Sequence, residues 1–403
     1  MANLLYLVHR IPYPPDKGDK LRSFHLLKFL SQYHNVYLGA FVDDEADLRH
    51  LSSLQRYCAD IKAIPLNPRT ARVRALNGLL SGEPLTVRYY RDANMQKWVS
   101  EAIQNQNIEA AIVFCSGMAQ YVEKKARLPI FLDLVDVDSL KWRAYSKTQR
   151  GLMKWLYARE SDVLLDYERR ISAKSLRTFF VSEKEKRAFC NLSPENTFHV
   201  DVIRNGVDTE FFDPEIDLAT PYSKSEIPVV FTGTMSYWIN DQAAHWFIDH
   251  VVPLLAGRHS DFRFYVVGRS PSPQLQARSA HNVRVTGSVD DVRPYLKHAK
   301  VVVAPIRTSR GLQNKVLEAM AMGKPVVMDR QCDEVFIDIP DTELRRASSP
   351  DDYLRIIDEL ITSPEIAKNT GNNARVRVCN HYNWDHQIGI IEPYLPHSSR
   401  KPS

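Results

Sequence analysis

The chain has 403 residues, a length that favours two domains over a single hydrophobic core. Hydrophobic residues make up 44% of it and charged residues 25%, which excludes a mostly disordered, collagen-like or disulfide-scaffold protein. The 53 basic and 48 acidic side chains leave a formal net charge of +5, which is small for nucleic-acid binding and compatible with anionic substrates or an anionic membrane surface.

Short apolar runs in the first half of the chain, separated by longer helical patterns, predict buried parallel strands. They cover residues 4–8, 36–41, 110–114, 130–132 and 178–181. This alternation of strand and helix is typical of a doubly wound α/β domain, which we place at residues 1–204.

A long helical pattern from about residue 139 to residue 173 is both basic and aromatic. Trp142 and Trp155 stand in it among cations such as Lys147 and Lys154. One interpretation is a domain helix with a solvated face, and the other is a basic amphipathic surface that attaches to an anionic bilayer. The sequence leaves both open.

The alternation of strand and helix starts again in the second half of the chain. The apolar runs lie at residues 229–232, 262–267, 283–286, 301–304 and 326–328. The preceding segment 205–227 is rich in Pro, Asp, Ser and Thr and lacks helical periodicity, so we interpret it as a linker. A second doubly wound domain at 228–383 and a C-terminal helix and tail at 384–403 follow.

No targeting or membrane-spanning segment is predicted. The N-terminus lacks a basic region and a small-residue cleavage site, and no uncharged apolar stretch approaches the ~18 residues needed to span a bilayer. The five cysteines form no C-x-x-C pair, which favours a reducing compartment and argues against a zinc site. We therefore expect a cytoplasmic protein without a metal site, whose membrane contact would be peripheral.

Polar residues follow several predicted strands. After the first strand, prolines and Gly18 form a turn that leads into a helix, although the same pattern also describes a Pro-rich surface turn. After the strand at 130–132 come Asp136 and Asp138, at the edge where α/β sheets bind ligands. Either acid could orient or deprotonate an acceptor hydroxyl, or cap the next helix; we favour a functional role for Asp136 and leave Asp138 open.

In the second half, Gly233 and Thr234 separate a strand from a helix, so their backbone N–H and hydroxyl groups could meet a phosphate. The segment VVVAPIRTSRGLQNKVLEAMAMGKPVVM predicts a strand, a polar loop and a helix from about residue 313 to 322. A helix N-terminus stabilises an anion. Lys315 could add positive charge, and Glu318 could accept hydrogen bonds from ribose hydroxyls; the alternative is an ordinary capped helix with a solvated glutamate.

These motifs carry a resemblance to a known family. The segment GLQNKVLEAMAMGKPVV resembles the donor-site signature of retaining GT-B glycosyltransferases, in particular family 4-like enzymes. The segments PYPPDKGDKLR, DLVDVDSLKW and RGLQNKVLEAMAMG together are similar to the sugar transferases associated with the PEP-CTERM/exosortase exopolysaccharide system. The resemblance implies a GT-B fold, in which two doubly wound Rossmann-like domains face each other across a cleft.

The resemblance also implies roles for individual residues. Glu318 matches the glutamate that binds the nucleotide ribose, and Lys315 lies beside the donor diphosphate. Arg310 stands where the family often has the first carboxylate of a Glu-x7-Glu pair, so it could bind the diphosphate or a charged sugar, or be a solvated cation. With Asp136, these residues form the predicted catalytic set. The predicted donor-binding residues are Asp16, Lys17, Gly18, Gly233, Thr234, Arg307, Gly311, Gln313 and Asn314.

The function that the resemblance implies is transfer of a sugar from a UDP- or GDP-linked donor to a glycan or polyprenyl-linked acceptor, with retention of anomeric configuration and without a cofactor or an obligatory metal. Exopolysaccharide biosynthesis and a position at the inner face of the cytoplasmic membrane are further implications. Two alternatives remain: a nucleotide-sugar epimerase or hydrolase of the same fold, and a non-catalytic scaffold that binds sugar nucleotides. A glycosylated product would distinguish a transferase from both. No nucleic-acid partner is expected.

Overall fold

The central strands of each sheet are short apolar runs that are buried on both faces, as expected for parallel strands covered by helices. In the first strand, Asn3–Val8, every residue after Asn3 is buried. The structure is a computed structural model that describes residues 1–15, 18–125, 127–308 and 312–396, without the side chains of 333–335. The chain divides into two units, Asn205–Gln387 and the described parts of Met1–Arg204 with Ile388–Ser403.

The first unit contains a seven-stranded parallel sheet in the order β3-β2-β1-β4-β5-β6-β7. Its strands are β1 (Asn3–Val8), β2 (Asn35–Val42), β3 (Asp60–Pro65), β4 (Ile108–Phe114), β5 (Ile130–Val135), β6 (Arg177–Phe180) and β7 (Val200–Val202). Its helices are α1 (Gly18–Tyr33), α2 (Leu51–Gln55), α3 (Pro68–Ser81), α4 (Leu85–Tyr89), α5 (Ala93–Asn105), α6 (Asp138–Thr148), α7 (Gly151–Lys174) and α8 (Glu183–Leu192). Short 3-10 helices lie at Glu45–His50, Ser116–Tyr121, Pro194–His199 and Gly389–Tyr394.

The second unit contains a six-stranded parallel sheet in the order β10-β9-β8-β11-β12-β13. Its strands are β8 (Ile227–Thr232), β9 (Phe262–Val267), β10 (Val283–Gly287), β11 (Val301–Ala304), β12 (Val326–Asp329) and β13 (Arg345–Ala347). Its helices are α9 (Trp238–His250), α10 (Val252–Arg258), α11 (Pro273–Gln276), α12 (Arg293–Lys297), α13 (Asn314–Ala321), α14 (Pro350–Thr362), α15 (Pro364–His381) and α16 (Trp384–Ile388), the last of which ends at the boundary, and a 3-10 helix lies at Arg330–Val335.

Both sheets reverse their strand order at the centre, between β1 and β4 in the first and between β8 and β11 in the second. This is the doubly wound, Rossmann-like topology, so the predicted fold class is confirmed. Every predicted strand is present, whereas the sequence reasoning missed β3, β7 and β13. These three lie at or beside a sheet edge, where strands are short or carry exposed polar residues and so lack the continuous apolar pattern.

Two predicted helices are broken in the structure. The basic and aromatic pattern forms α6 and α7, which separate at Gly151, where φ is 57°. The sequence also predicts a helix over residues 241–255, and this segment forms α9 and α10. Pro253 in the first turn of α10 explains the break, because proline starts a helix well and cannot continue one.

Candidate functional site

The carboxyl edge of the second sheet brings together the loops that follow β8 and β11. These strands are neighbours at the point where the strand order reverses. Ligands of open α/β sheets bind at such a point, because the flanking connections leave the sheet in opposite directions. Gly233 follows β8, and α13 begins at Asn314 after the loop that follows β11.

Glycines let the backbone and a lysine approach each other closely at this edge. Gly268, with φ of 148°, lies so near Gly233 that a Cβ at position 268 would stand 1.8 Å from the Gly233 carbonyl oxygen. A Cβ at Gly233 would stand 2.9 Å from Asn240 Nδ2 and 3.1 Å from Lys315 Nζ. Position 268 therefore requires glycine, and at position 233 the φ of 157° would strain any other residue.

Lys315 is held over the end of β8. Its Nζ donates to Asn240 Oδ1 at 2.5 Å and lies 4.9 Å from the ring centroid of Phe231. Asn240 Nδ2 in turn donates to the Thr234 carbonyl at 2.9 Å. An ammonium group has three donors, so Lys315 can hold Asn240 and still donate to an anion at the edge.

Lys315 and Glu318 have unusual proton affinities, and both side chains are half-buried. Burial lowers the pKa of Lys315 to about 7, although the Glu318 carboxylate opposes the shift. Burial also raises the pKa of Glu318 to about 7, against the attraction of Lys315. A bound diphosphate would favour the charged lysine, so the site gains positive charge when an anion arrives.

Buried oxygens of Thr232 and Asn314 have no hydrogen-bond partner among the described residues. Thr232 is the last residue of β8, and Asn314 is the first residue of α13. Buried polar atoms are normally paired, so unpaired atoms at a ligand-binding edge indicate groups that water or a ligand would satisfy.

Arg307 is partly committed to protein contacts. Its Nε lies 3.7 Å from the Oδ2 of the fully buried Asp329, and its guanidinium carbon lies 5.0 Å from the ring centroid of Trp246. Burial raises the pKa of Asp329, while the Gln331 N–H and Arg307 oppose the shift. The pair holds Arg307, which follows β11, against the end of β12.

Some predicted residues cannot be placed. Asp16, Lys17, Arg310 and Gly311 lie outside the described residues. Gly18 begins α1, and a Cβ there would meet no atom within 4 Å, so packing among the described residues gives no reason for glycine at this position. Any role of these five residues in donor binding stays a prediction.

In the first unit, Asp136 and Asp138 both pair with Lys141, at 2.8 and 3.0 Å. Burial alone would lower the pKa of Lys141, but the two carboxylates raise it above its ordinary value. Asp138 is the first residue of α6 and does not cap it. The Val137 N–H donates to Glu185 and the Ser139 N–H to Glu168, so carboxylates from α8 and α7 fill the capping role.

A charged network that was not predicted from the sequence lies at the carboxyl edge of the first sheet. Arg10 donates to both carboxylate oxygens of Asp43 and, at 2.5 Å, to Asp19. Asp19 Oδ2 lies 3.4 Å from His9 Nε2, and the His9 ring stacks on Phe114 with centroids 5.7 Å apart. These residues join the ends of β2 and β1 to the start of α1.

The neighbouring end of β4 adds a thiol to this network. The register pairs Val8 with Phe114, so Cys115 stands beside His9, and its φ of 69° is rare for a residue other than glycine. Burial alone would lower the pKa of His9, but the Cys115 thiol and Asp19 raise it to about 10. The signal in the sequence was the polar residue directly after each apolar run, which becomes informative only when the strand order is known.

Within the ranges that the structure describes, no cluster of His, Cys, Asp or Glu side chains could hold a metal ion. None of the described helices is long and apolar enough to cross a bilayer.

Comparison with protein families gives one match. Residues 226–363, within the second unit, match the family model of glycosyl transferases group 1. This segment contains the Gly233, Lys315 and Glu318 arrangement described above. No curated protein sequence matches the chain.

Solved structures resemble the chain over nearly its whole length. HepE of Anabaena, solved in complex with UDP and glucose, is 15% identical with a TM-score of 0.65, over 98% of this chain and 99% of its own. A glycosyltransferase from Rickettsia africae is 15% identical with a TM-score of 0.64, over 98% and 97%. Sucrose-phosphate synthase from Thermosynechococcus elongatus is 16% identical with a TM-score of 0.65, over 98% of both chains. At such identities the likeness establishes the fold, which is GT-B.

Proposed function

We propose that the chain is a glycosyltransferase that moves a sugar from a nucleotide-sugar donor to a glycan or lipid-linked acceptor. The observation that carries the proposal is the position of Lys315, hydrogen-bonded to Asn240 and packed on Gly233 at the carboxyl edge of the second sheet. The family match of residues 226–363 supports it, as do the complexes of the Anabaena neighbour with UDP and UDP-glucose.

In the proposed reaction, the donor diphosphate binds at the N-terminus of α13. As the bond between the sugar and the phosphate lengthens, negative charge grows on the diphosphate and positive charge on the sugar ring. The Lys315 ammonium and the helix N-terminus stabilise the first of these charges. Glu318, one turn further along the helix, accepts hydrogen bonds from the ribose hydroxyls. The acceptor hydroxyl oxygen bonds to the anomeric carbon as the nucleoside diphosphate leaves, and the hydroxyl proton is transferred to the departing diphosphate.

The finer parts of the proposal come from the sequence motifs. We propose that transfer retains the anomeric configuration and serves exopolysaccharide biosynthesis of the PEP-CTERM/exosortase type, as the resemblance to family 4-like enzymes implies. The donor carries UDP or GDP, and the reaction uses no cofactor. The protein acts on the cytoplasmic side of a membrane, with a peripheral contact to anionic lipids.

Donor titrations with site variants test the assignment. Isothermal titration of UDP, GDP and their sugar conjugates should find a nucleotide that binds the wild type. The Lys315→Met substitution should weaken the binding of this nucleotide about tenfold to hundredfold, because a charge-assisted hydrogen bond contributes roughly 1.5 to 3 kcal/mol. The Glu318→Gln substitution should weaken the binding of nucleosides and of nucleotides to the same degree, because the Glu318 carboxylate contacts the ribose.

Matched controls separate the site from general effects of removing charge. Burial lowers the pKa of Lys324 to about 8, and this lysine precedes β12 at the opposite edge of the sheet. Lys324→Met should therefore bind the nucleotide like the wild type. Glu226, before β8, provides the corresponding control for Glu318. Equal binding by Lys315→Met and Lys324→Met would refute the site. Release of free sugar without a glycosylated product, across a panel of acceptors, would favour a hydrolase.

A further inference from the structure

A cavity of about 430 Å³ lies in the second unit, beside its edge strand β13. Its walls come from the residues after β12, from β13 and from helices α14 and α15. None of the described residues that line it belongs to the predicted catalytic or donor-binding set. Pockets for small molecules have volumes of about 300 to 1,000 Å³. The cavity therefore has room for a small organic ligand away from the proposed donor site.

Four arginines line this cavity. They are Arg330, Arg345, Arg346 and Arg355, and Asp341 is the one carboxylate among the described lining residues. Like charges gathered in one cavity repel one another, and a bound anion offsets that repulsion. A guanidinium group also presents its donors in a planar fork that matches a phosphate group. The lining therefore indicates an anionic ligand.

Two of these arginines form a fixed wall. Arg346 is buried, and its Nη1 donates to Asp341 Oδ1 at 2.8 Å while its Nη2 donates to the Phe336 carbonyl at 2.7 Å. Arg345 pairs with Glu359 of α14. These contacts hold the loop before β13 and the strand itself in place, so this side of the cavity is formed before a ligand arrives.

The other two arginines are engaged weakly or not at all. Arg330 is exposed and forms no ion pair or hydrogen bond among the described residues. The Arg355 side chain is 68% exposed, and its ion-pair partner Asp352 lies at 3.5 Å. An exposed pair of this kind contributes little free energy, so Arg355 can turn to an anion at small cost.

Helix α15 presents uncharged polar groups to the same cavity. Ile366, Asn369, Thr370 and Asn373 are spaced three or four residues apart along one helical face. Thr370 is only 4% exposed, yet its hydroxyl forms no hydrogen bond among the described residues. Buried polar groups are normally paired, so this hydroxyl indicates a group that a molecule in the cavity would satisfy.

We propose that this arginine-lined cavity binds a phosphorylated sugar. The phosphate contacts the guanidinium groups of Arg330 and Arg355, and the sugar hydroxyls exchange hydrogen bonds with Asn369, Thr370 and Asn373 along α15. The site is additional to the donor site at the reversal point of the sheet.

The composition of the lining distinguishes this ligand from other anions. Inorganic phosphate alone would leave most of the 430 Å³ and the polar face of α15 without a partner. A nucleotide would place its base against a lining that has no aromatic side chain among the described residues, so the base would find no ring on which to stack. A hexose phosphate uses both the arginines and the amides.

Titration calorimetry of the full chain with glucose 6-phosphate and mannose 6-phosphate tests the site. At least one of these probes should bind the wild type, glucose should not bind, and inorganic phosphate should bind more weakly and compete with the hexose phosphate. The double variant Arg330→Gln, Arg355→Gln should bind the hexose phosphate at least about tenfold more weakly, because charge-assisted hydrogen bonds are lost. Asn373→Asp should weaken binding at least about threefold, because it adds a carboxylate that repels the phosphate.

Matched controls lie in the same unit. The double variant Lys224→Gln, Arg284→Gln loses the same two positive charges, from exposed side chains of which Arg284 lies on β10 at the opposite edge of the sheet. Asn372→Asp adds the same negative charge to α15 at an exposed residue that does not line the cavity. These controls should bind like the wild type, and all four variants should keep the wild-type melting temperature because the replaced side chains are exposed.

The donor assignment and this proposal can fail independently. Lys315→Met, and the wild type with UDP added, should bind the hexose phosphate with unchanged affinity. Failure of both hexose phosphates to bind, equal binding by the cavity variants and their controls, or displacement of the hexose phosphate by UDP would overturn the proposal.

Discussion

Lys315 is a lysine that its surroundings keep only partly charged near neutral pH. Burial brings its pKa to about 7, and Asn240 fixes its position through a hydrogen bond. A bound diphosphate would raise that pKa, because the anion favours the ammonium form. Nucleotide binding should therefore be coupled to proton uptake.

This coupling gives a prediction about pH. Below pH 7 Lys315 is already charged in the free protein, so its protonation adds no pH dependence to the nucleotide affinity. Above pH 7 nucleotide binding must add a proton to Lys315. Nucleotide affinity should then fall by up to about tenfold for each pH unit. Titration calorimetry at pH 8 in buffers of different ionisation enthalpy measures the proton uptake directly. Lys315→Met should abolish most of it and Lys324→Met should not; full uptake in Lys315→Met would contradict the assignment.

Gly268 allows a second prediction for a single residue. Gly268→Ala would place a Cβ 1.8 Å from the Gly233 carbonyl oxygen in a backbone with φ of 148°, so one of the two loops must move. We expect a loss of at least about 2 kcal/mol in unfolding free energy by denaturant titration, together with weaker nucleotide binding. Gly257→Ala in α10 meets no atom within 4 Å and should be neutral or slightly stabilising. A Gly268→Ala protein as stable as the wild type would refute this packing.

At the scale of elements, buried glutamates of α7 fix the starts of two other helices. Glu160 accepts from the backbone N–H groups of Leu85 and Thr86 at the start of α4. Glu168 accepts from Ser139 N and Oγ at the start of α6. Both carboxyl groups are completely buried and are satisfied by hydrogen bonds, and Glu160 also accepts from Thr86 Oγ1 at 2.9 Å and lies 3.6 Å from Arg159 Nη1.

Glu168 therefore makes stability depend on pH. Burial raises its folded pKa to about 8 from an ordinary 4.5, so the folded state binds more protons than the unfolded state between these values. The stability that Glu168 contributes is complete below pH 4.5 and is lost as pH rises through 8. The unfolding free energy of the wild type relative to Glu168→Gln should fall by roughly 3 to 5 kcal/mol over this range. A difference that is constant with pH would contradict the buried, protonated carboxyl.

The sequence predicted the elements that are buried on both faces. The central strands read as continuous apolar runs, and the bounds of β9 and β11 follow from hydrophobicity alone. The edge strand β13 has the sequence Arg345–Arg346–Ala347, and its strand conformation depends on pairing with β12. Such a strand is specified by its neighbours and leaves no local pattern.

The same distinction explains which site residues could be predicted. Lys315 and Glu318 share a short motif, so their residue types and spacing suggest a phosphate and a ribose. The network of His9, Arg10, Asp19 and Asp43 joins residues up to 34 positions apart, and it exists because β2 and β1 are neighbours. The requirement for glycine at 268 likewise comes from a loop contact that spacing along the chain does not encode.

At the scale of the whole molecule, both units repeat one strand order, and each has a reversal point with charged or phosphate-compatible groups. We assign the donor nucleotide mainly to the second unit, while Asp16, Lys17 and Gly18 remain predicted donor contacts from the first. When UDP is bound to the full chain, hydrogen exchange should therefore be slower than in the free chain in peptides that cover 231–240, 266–270 and 314–318. Peptides from the reversal point of the first unit, around residues 9–10 and 115–116, should exchange unchanged. Protection confined to the first unit would contradict the assignment.

The most direct test is a crystal structure of the full chain with UDP or a UDP-sugar. We expect the diphosphate at the carboxyl edge of the second sheet, with Lys315 Nζ within hydrogen-bonding distance of a phosphate oxygen and the Glu318 carboxylate on the ribose hydroxyls. A nucleotide bound elsewhere in the chain, with Lys315 and Glu318 touching none of its atoms, would contradict the account.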